Sequence, residues 1–134
     1  MRRRKSDKNV GGACSTSLMA TSSELLTAVH SIFGNRDAAS RRAAIEAAFA
    51  EDAVFTDPER TVTGWDAIDA AAAGLLAEAP EEFVLAADGL PYTGDDIGAY
   101  AWTFGPAGAP AARGIDIITV EGGRITALRT LLYS

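Results

Sequence analysis

The hydrophobic pattern of this chain changes period near Pro80, and few architectures accept such a change. Upstream, apolar residues recur at helical spacing; downstream they alternate, as strands do. Thr21-Ser-Ser-Glu24 reads as a capping box, followed by Leu25, Leu26, Val29, Ile32 and Phe33, until Gly34-Asn35 stops the helix. Asp37 caps a second helix with Ile45, Ala48 and Phe49 as its inner stripe and Arg41 and Arg42 toward solvent. That helix is expected to end in the acidic pair Glu51-Asp52. Thr63-Gly-Trp-Asp66 reads as another capping box, opening a third helix with Trp65, Ile68, Ala72 and Leu75 on one side. Pro80 closes it.

Beyond Pro80 the pattern predicts strands at 82–87, 97–104, 113–120 and 124–133, with Tyr92 in a short extended piece. Asp88-Gly89, Thr93–Asp96 and Glu121-Gly122-Gly123 are the turns between them, the last closing a hairpin. Alternation puts Tyr100, Trp102 and Phe104 on one face of their strand, and Asp116, Ile118 and Val120 on one face of the next. Three helices followed by an antiparallel meander make an α+β domain, with the helices on one face of a curved antiparallel sheet.

Between the second and third helices lies Ala53-Val54-Phe55-Thr56, a short strand that ends in Asp57-Pro58. Proline disfavours the α region for its predecessor, so Asp57 is held extended at the strand end. A carboxylate placed there is suited to look into a cavity. The plainer reading is a strand-to-turn cap, since Asp-Pro is ordinary punctuation.

Charge divides the chain unevenly. Residues 1–18 carry +4 of a net −6, so the remainder carries −10. An acidic body argues against nucleic acid as a partner and suits a neutral or weakly charged substrate. The basic start lacks the apolar run of a signal peptide, because Gly11, Gly12, Ser15, Thr16 and Ser17 interrupt it. Residues 1–20 are therefore expected to be a disordered tail, and 21–134 a single domain. Cys14 is the sole cysteine, so neither a disulfide framework nor a zinc cluster is available. No apolar run approaches the length of a membrane span, and a cytoplasmic location is expected.

The segments FAEDAVFTDP, TGWDAI and GIDIITVEGGRITAL, in that order, resemble the nuclear transport factor 2-like superfamily. Within it they are most similar to the ketosteroid isomerase and SnoaL-type polyketide cyclase branch, from about Thr21 to the C-terminus. The resemblance implies a cone-shaped α+β barrel whose three helices enclose a deep apolar pocket, commonly dimeric through the convex sheet. It implies that Asp57 is a general base acting beside a carbonyl. Asp116 is the closest match to a second, protonated aspartate that donates a hydrogen bond to the developing oxyanion. The branch's first-helix tyrosine is missing: Val29-His30 stands there, which argues against steroid isomerisation itself.

The residues alone leave alternatives open. Burial in an apolar cavity would make Asp57 a better base, and a second carboxyl nearby would split the pair's titration. Asp116 shares its face with Ile118 and Val120, which favours a pocket or a dimer interface; outward pairing with Arg129 or Arg113 is the alternative. His30 shares a stripe with Leu26 and Phe33 and belongs either to the core or to the pocket wall. Trp65, Tyr92, Trp102 and Phe104 could line a cavity for a flat hydrophobic ligand or pack as plain core. Neither a metal ligand set nor a glycine-rich phosphate loop is present, so no cofactor is expected. Three functions fit: an acid/base cyclase or isomerase, a limonene-type epoxide hydrolase with an Asp–Arg–Asp relay, or a non-catalytic binding module. Arg113 lies three residues from Asp116, on the opposite sheet face, which speaks against a relay from that pair.

Overall fold

The computed structural model describes residues 20–133. The expected tail, with Cys14, falls outside these residues except for Ala20, which packs against the core. Helix α1 (Ser22–Gly34) opens with the capping box read from the sequence. The Thr21 hydroxyl accepts the Glu24 N–H at 3.1 Å, and Glu24 Oε1 accepts the Thr21 N–H at 2.9 Å. Asp37 caps α2 (Ala38–Ala48) by accepting the Ser40 N–H at 2.9 Å.

Three local expectations are corrected. Arg41 is buried, not solvent-facing: its Nε donates to Asp69 Oδ1 at 2.7 Å and its Nη1 to the Asn35 carbonyl at 3.0 Å. It precedes Ile45 by four residues and so shares the inner stripe. Glu51-Asp52 does not end a helix; α2 stops at Ala48, and the pair is exposed in strand β1 (Phe49–Asp57), where Phe49 and Ala53 are buried. Thr63 does not cap α3 (Trp65–Ala77), because it ends a strand of its own, β2 (Arg60–Thr63). Gly64 takes the cap position with φ +95°, a conformation that a side chain would strain, and offers no side-chain hydrogen bond. At the far end of α3, Arg36 donates to the Leu76 and Pro80 carbonyls at 2.7 and 2.9 Å.

The remaining strands are β3 (Val84–Ala87), β4 (Tyr92–Thr93), β5 (Ile97–Gly105), β6 (Ala112–Glu121) and β7 (Arg124–Leu132). They form one curved, open sheet in the order β2-β1-β7-β6-β5-β3, with β4 also paired to β5. The sheet is mixed, where an antiparallel one was expected: β1 runs parallel to β7, with Phe55 opposite Leu128. Turn residues announce hairpins, whereas parallel neighbours are joined by long connections that leave no local signal.

The helices cover the inner face. Leu26, Val29 and Ile32 of α1, Ile45 of α2 and Ile68 of α3 meet Phe49, Phe55, Ile118, Ile125 and Leu128 of the sheet in one core. Gly98 lets β5 approach α1, since a Cβ there would stand 2.8 Å from Leu26 Cδ1. Among the described residues no helix is long and apolar enough to cross a membrane.

Candidate active site

A cavity of about 270 Å³ opens between the sheet and the ends of α1 and α3. Its apolar walls include Phe33, Phe55, Trp102 and Phe104. Asp57, Arg60, Asp116 and Thr130 supply polar groups.

Asp116 is the buried member of this set, with 4% of its surface exposed. It points inward from β6, on the face it shares with Ile118 and Val120. Its Oδ1 accepts hydrogen bonds from Trp102 Nε1 at 3.1 Å and from the Thr130 hydroxyl at 2.7 Å. Burial pushes its pKa up to about 6, against the pull of those two donors. Trp102 can deliver its N–H because Gly114 faces it on β6: a Cβ on Gly114 would collide with the indole ring.

Thr130 was missed in the sequence. Counting back from the Glu121–Arg124 pair would set Asp116 opposite Arg129, the alternative partner considered above. A register shift between Thr119 and Val120 moves the pairing by one residue and brings Thr130 opposite Asp116. Arg129 then falls opposite Ile117.

Of the two places open to His30, the core and the pocket wall, it takes neither cleanly: it is buried off the cavity wall and stands against Asp116. Its Nε2 lies 3.5 Å from Asp116 Oδ2 and has no hydrogen-bond partner, although the side chain is only 8% exposed. The ring stacks on Tyr100, centroids 4.6 Å apart. Burial lowers the His30 pKa, opposed by a hydrogen bond with the Tyr100 backbone.

Asp57 satisfies both of its sequence readings. Its Oδ1 accepts the N–H groups of Glu59 and Arg60 at 2.8 and 2.9 Å, the bonds of a strand-to-turn cap. It also lines the cavity, with Oδ2 3.2 Å from Arg60 Nε. The other predicted aromatic residues divide. Phe33 and Trp102 line the cavity, Phe33 packing on Phe55 with centroids 5.2 Å apart. Trp65 does not: its Nε1 donates to the Phe49 carbonyl at 2.9 Å and its ring packs against the core. Tyr92, on the short strand β4, is 77% exposed and away from the cavity. An aromatic residue in a short extended piece carries no signal for which side it faces.

The three charges of an Asp–Arg–Asp relay border one cavity, with Arg60 in the place considered for Arg113. Arg60 pairs with Asp57, however, while Asp116 is engaged by Trp102 and Thr130. Among the described residues no three His, Cys, Asp or Glu side chains gather as a metal-binding group.

Residues 26–128 match the SnoaL-like domain family, and the chain belongs to it. No curated protein matches the chain. The fold recurs in solved structures. A presumptive SnoaL-like isomerase from Agrobacterium tumefaciens is 21% identical, with 82% of this chain and 95% of that one aligned at a TM-score of 0.76. A presumptive SnoaL-like polyketide cyclase from Jannaschia is 12% identical, with 90% and 91% aligned at 0.65. A protein of ketosteroid isomerase-like fold from Catenulispora acidiphila, solved with trimethylamine, is 21% identical, with 83% and 85% aligned at 0.64. At these identities the likeness concerns the fold.

Proposed function

We propose that this protein is a small acid/base enzyme of the cyclase or isomerase type, acting on a hydrophobic carbonyl compound by proton transfer from its own side chains. One observation carries the reading: a buried carboxyl with a pKa near neutrality lines an open aromatic cavity. At pH 7 such a group is mostly ionised and sits close to the value a general base needs. Asp116 therefore takes the proton from the carbon beside the carbonyl and returns it elsewhere on the product.

Asp57, expected as the base, is held by two N–H donors and a guanidinium. We assign it to orienting Arg60, whose cation faces the cavity and would stabilise the negative charge that develops on the carbonyl oxygen. A cavity of about 270 Å³ suits a compact substrate, at the small end of ligand sites. An open cavity edged by Asp57 favours an enzyme over a module that only binds.

A homodimer through the outer sheet face belongs to the same reading, within the cytoplasm. Ile115 and Ile117 alternate with Asp116 and so lie on that face, beside Ile97, which is 52% exposed. Sedimentation showing only monomer at high protein concentration would refute this part.

The test of the chemistry is deuterium uptake from heavy water at the carbon next to the carbonyl, followed by NMR over a panel of enones and polyketide-like ketones. The native protein should accelerate exchange for at least one class, and Asp116→Asn should lose it while still binding the ligand. Full exchange in the Asn variant would overturn the assignment.

A further inference from the structure

The mechanism above uses Asp116 but leaves His30 unexplained. His30 Nε2 is a buried polar atom without a hydrogen-bond partner, a condition that native interiors rarely tolerate. The atom nearest to it in charge terms is Asp116 Oδ2, at 3.5 Å. Oδ2 is also the carboxyl oxygen left free, because the Trp102 and Thr130 donors both bind Oδ1.

With the ring N–H engaged by the Tyr100 backbone, Nε2 of neutral His30 presents a lone pair. An ionised Asp116 presents lone pairs as well. Two acceptors facing each other away from water repel, and a single proton between them satisfies both. We propose that Asp116 and His30 hold one proton in common, with His30 acting as the positioning residue that draws this proton off Oδ2 and leaves the cavity carboxyl ionised to act as a base.

The step balances without a further reactant. As the Asp116 O–H bond lengthens, the proton moves onto His30 Nε2, and the pair's total charge is unchanged. His30 does not border the cavity, so it acts through Asp116 and not on the substrate. The directions of the two pKa shifts, raised for the acid and lowered for the base, draw the two sites together as sharing requires. The ionisable groups around the pair are the Tyr100 phenol, whose ring stacks on His30, and Asp57, Glu59, Arg60 and Glu78 on the walls of the same cavity. Asp57 and Glu59 are both paired with Arg60.

The functional role of this proton rests on the proposed reaction; its existence does not. His30 is the only histidine in the chain, so the imidazole ¹⁵N signals of the full-length protein have one source. These signals and the Asp116 carboxyl ¹³C signal should both move through the same two steps in the unmodified protein, because each nucleus senses every proton that the pair gains or loses. Asp116→Asn should then displace the imidazole midpoint, and His30→Gln the carboxyl midpoint, by about one pH unit or more. An imidazole and a carboxyl that each titrate in a single step of their own, or curves that each variant leaves in place, would overturn the shared proton. The native measurement needs no variant to fold. Lost exchange in Asp116→Asn alongside independent midpoints would sink the pair and leave the reaction standing. Shared two-step curves without any carbonyl exchange would do the reverse.

Discussion

Ionising Asp116 inside the fold has a cost that can be read out as stability. Its pKa rises from the usual 3.8 to about 6. At about 1.4 kcal/mol per pH unit, the ionised form is disfavoured in the folded chain by about 3 kcal/mol. The sign follows from proton counts. Between these two values the native protein holds a proton that the unfolded chain has released, so the stability this group contributes is full below 3.8 and is lost as pH rises through 6. Asp116→Asn removes this dependence. The stability of the Asn variant relative to the native protein should therefore rise by about 2 kcal/mol from pH 4 to pH 8, the rest of the change lying below pH 4. In melting temperature that is about 8 °C, at about 4 °C per kcal/mol for a domain of this size. His30 works in the opposite sense, since burial lowers its pKa and its neutral form loses stability as pH falls below 6.5. Comparing the two proteins at each pH measures the proton lost with Asp116 together with the change this makes in the titration of His30. Urea denaturation at unit pH steps, followed by tryptophan fluorescence, measures the difference. A difference that stays flat from pH 4 to 8 would refute the reasoning, because it would mean that Asp116 ionises in the fold as easily as in water.

Three further substitutions probe the supports of the site. Thr130→Val deletes the 2.7 Å donor to Asp116; the carboxyl midpoint in ¹³C NMR should move up further, with a stability loss of about 1–3 kcal/mol. Gly114→Ala drives a methyl into the Trp102 ring; it should cost about 1–3 kcal/mol in chemical denaturation and shift the tryptophan emission as the indole leaves Asp116. Arg41→Ala leaves Asp69 and the Asn35 carbonyl without their donor; we expect a loss of about 2–3 kcal/mol in thermal unfolding and no change in ligand binding, since Arg41 lies outside the cavity.

Local physics was legible in the sequence, and long-range pairing was not. The capping box at Thr21–Glu24 and the Asp37 cap each depend on neighbours within a few residues, where side-chain chemistry and period suffice, whereas the face of Asp116 was left open between pocket and outward pairing. The extent of β1 was hidden because Glu51 and Asp52 interrupt its alternation, and β2 because its four residues alternate without a buried side chain. The partner of Asp116 depended on a one-residue register shift in the β6–β7 hairpin, which no turn motif announces. Trp65 and Tyr92 were misplaced for a related reason: an aromatic ring declares that it wants cover, not which cover it will find. Arg60 went unnoticed because its importance lies in the bond to Asp57, made across a tight turn that only the fold closes.

The parallel pairing of β1 with β7 also bears on how the molecule is made. β1 is bordered by β2 on one side and by β7 on the other, and β7 is the last strand of the described chain. During synthesis the three helices and the β1–β2 hairpin emerge well before the partner that completes their sheet. Until β7 is free, the edge of β1 offers unpaired backbone groups, and the apolar inner face of the sheet is short of Ile125 and Leu128. Protection thus arrives late and all at once. A ribosome that stalls ahead of Arg124 would hold a nascent chain with an exposed strand edge, a natural client for chaperones.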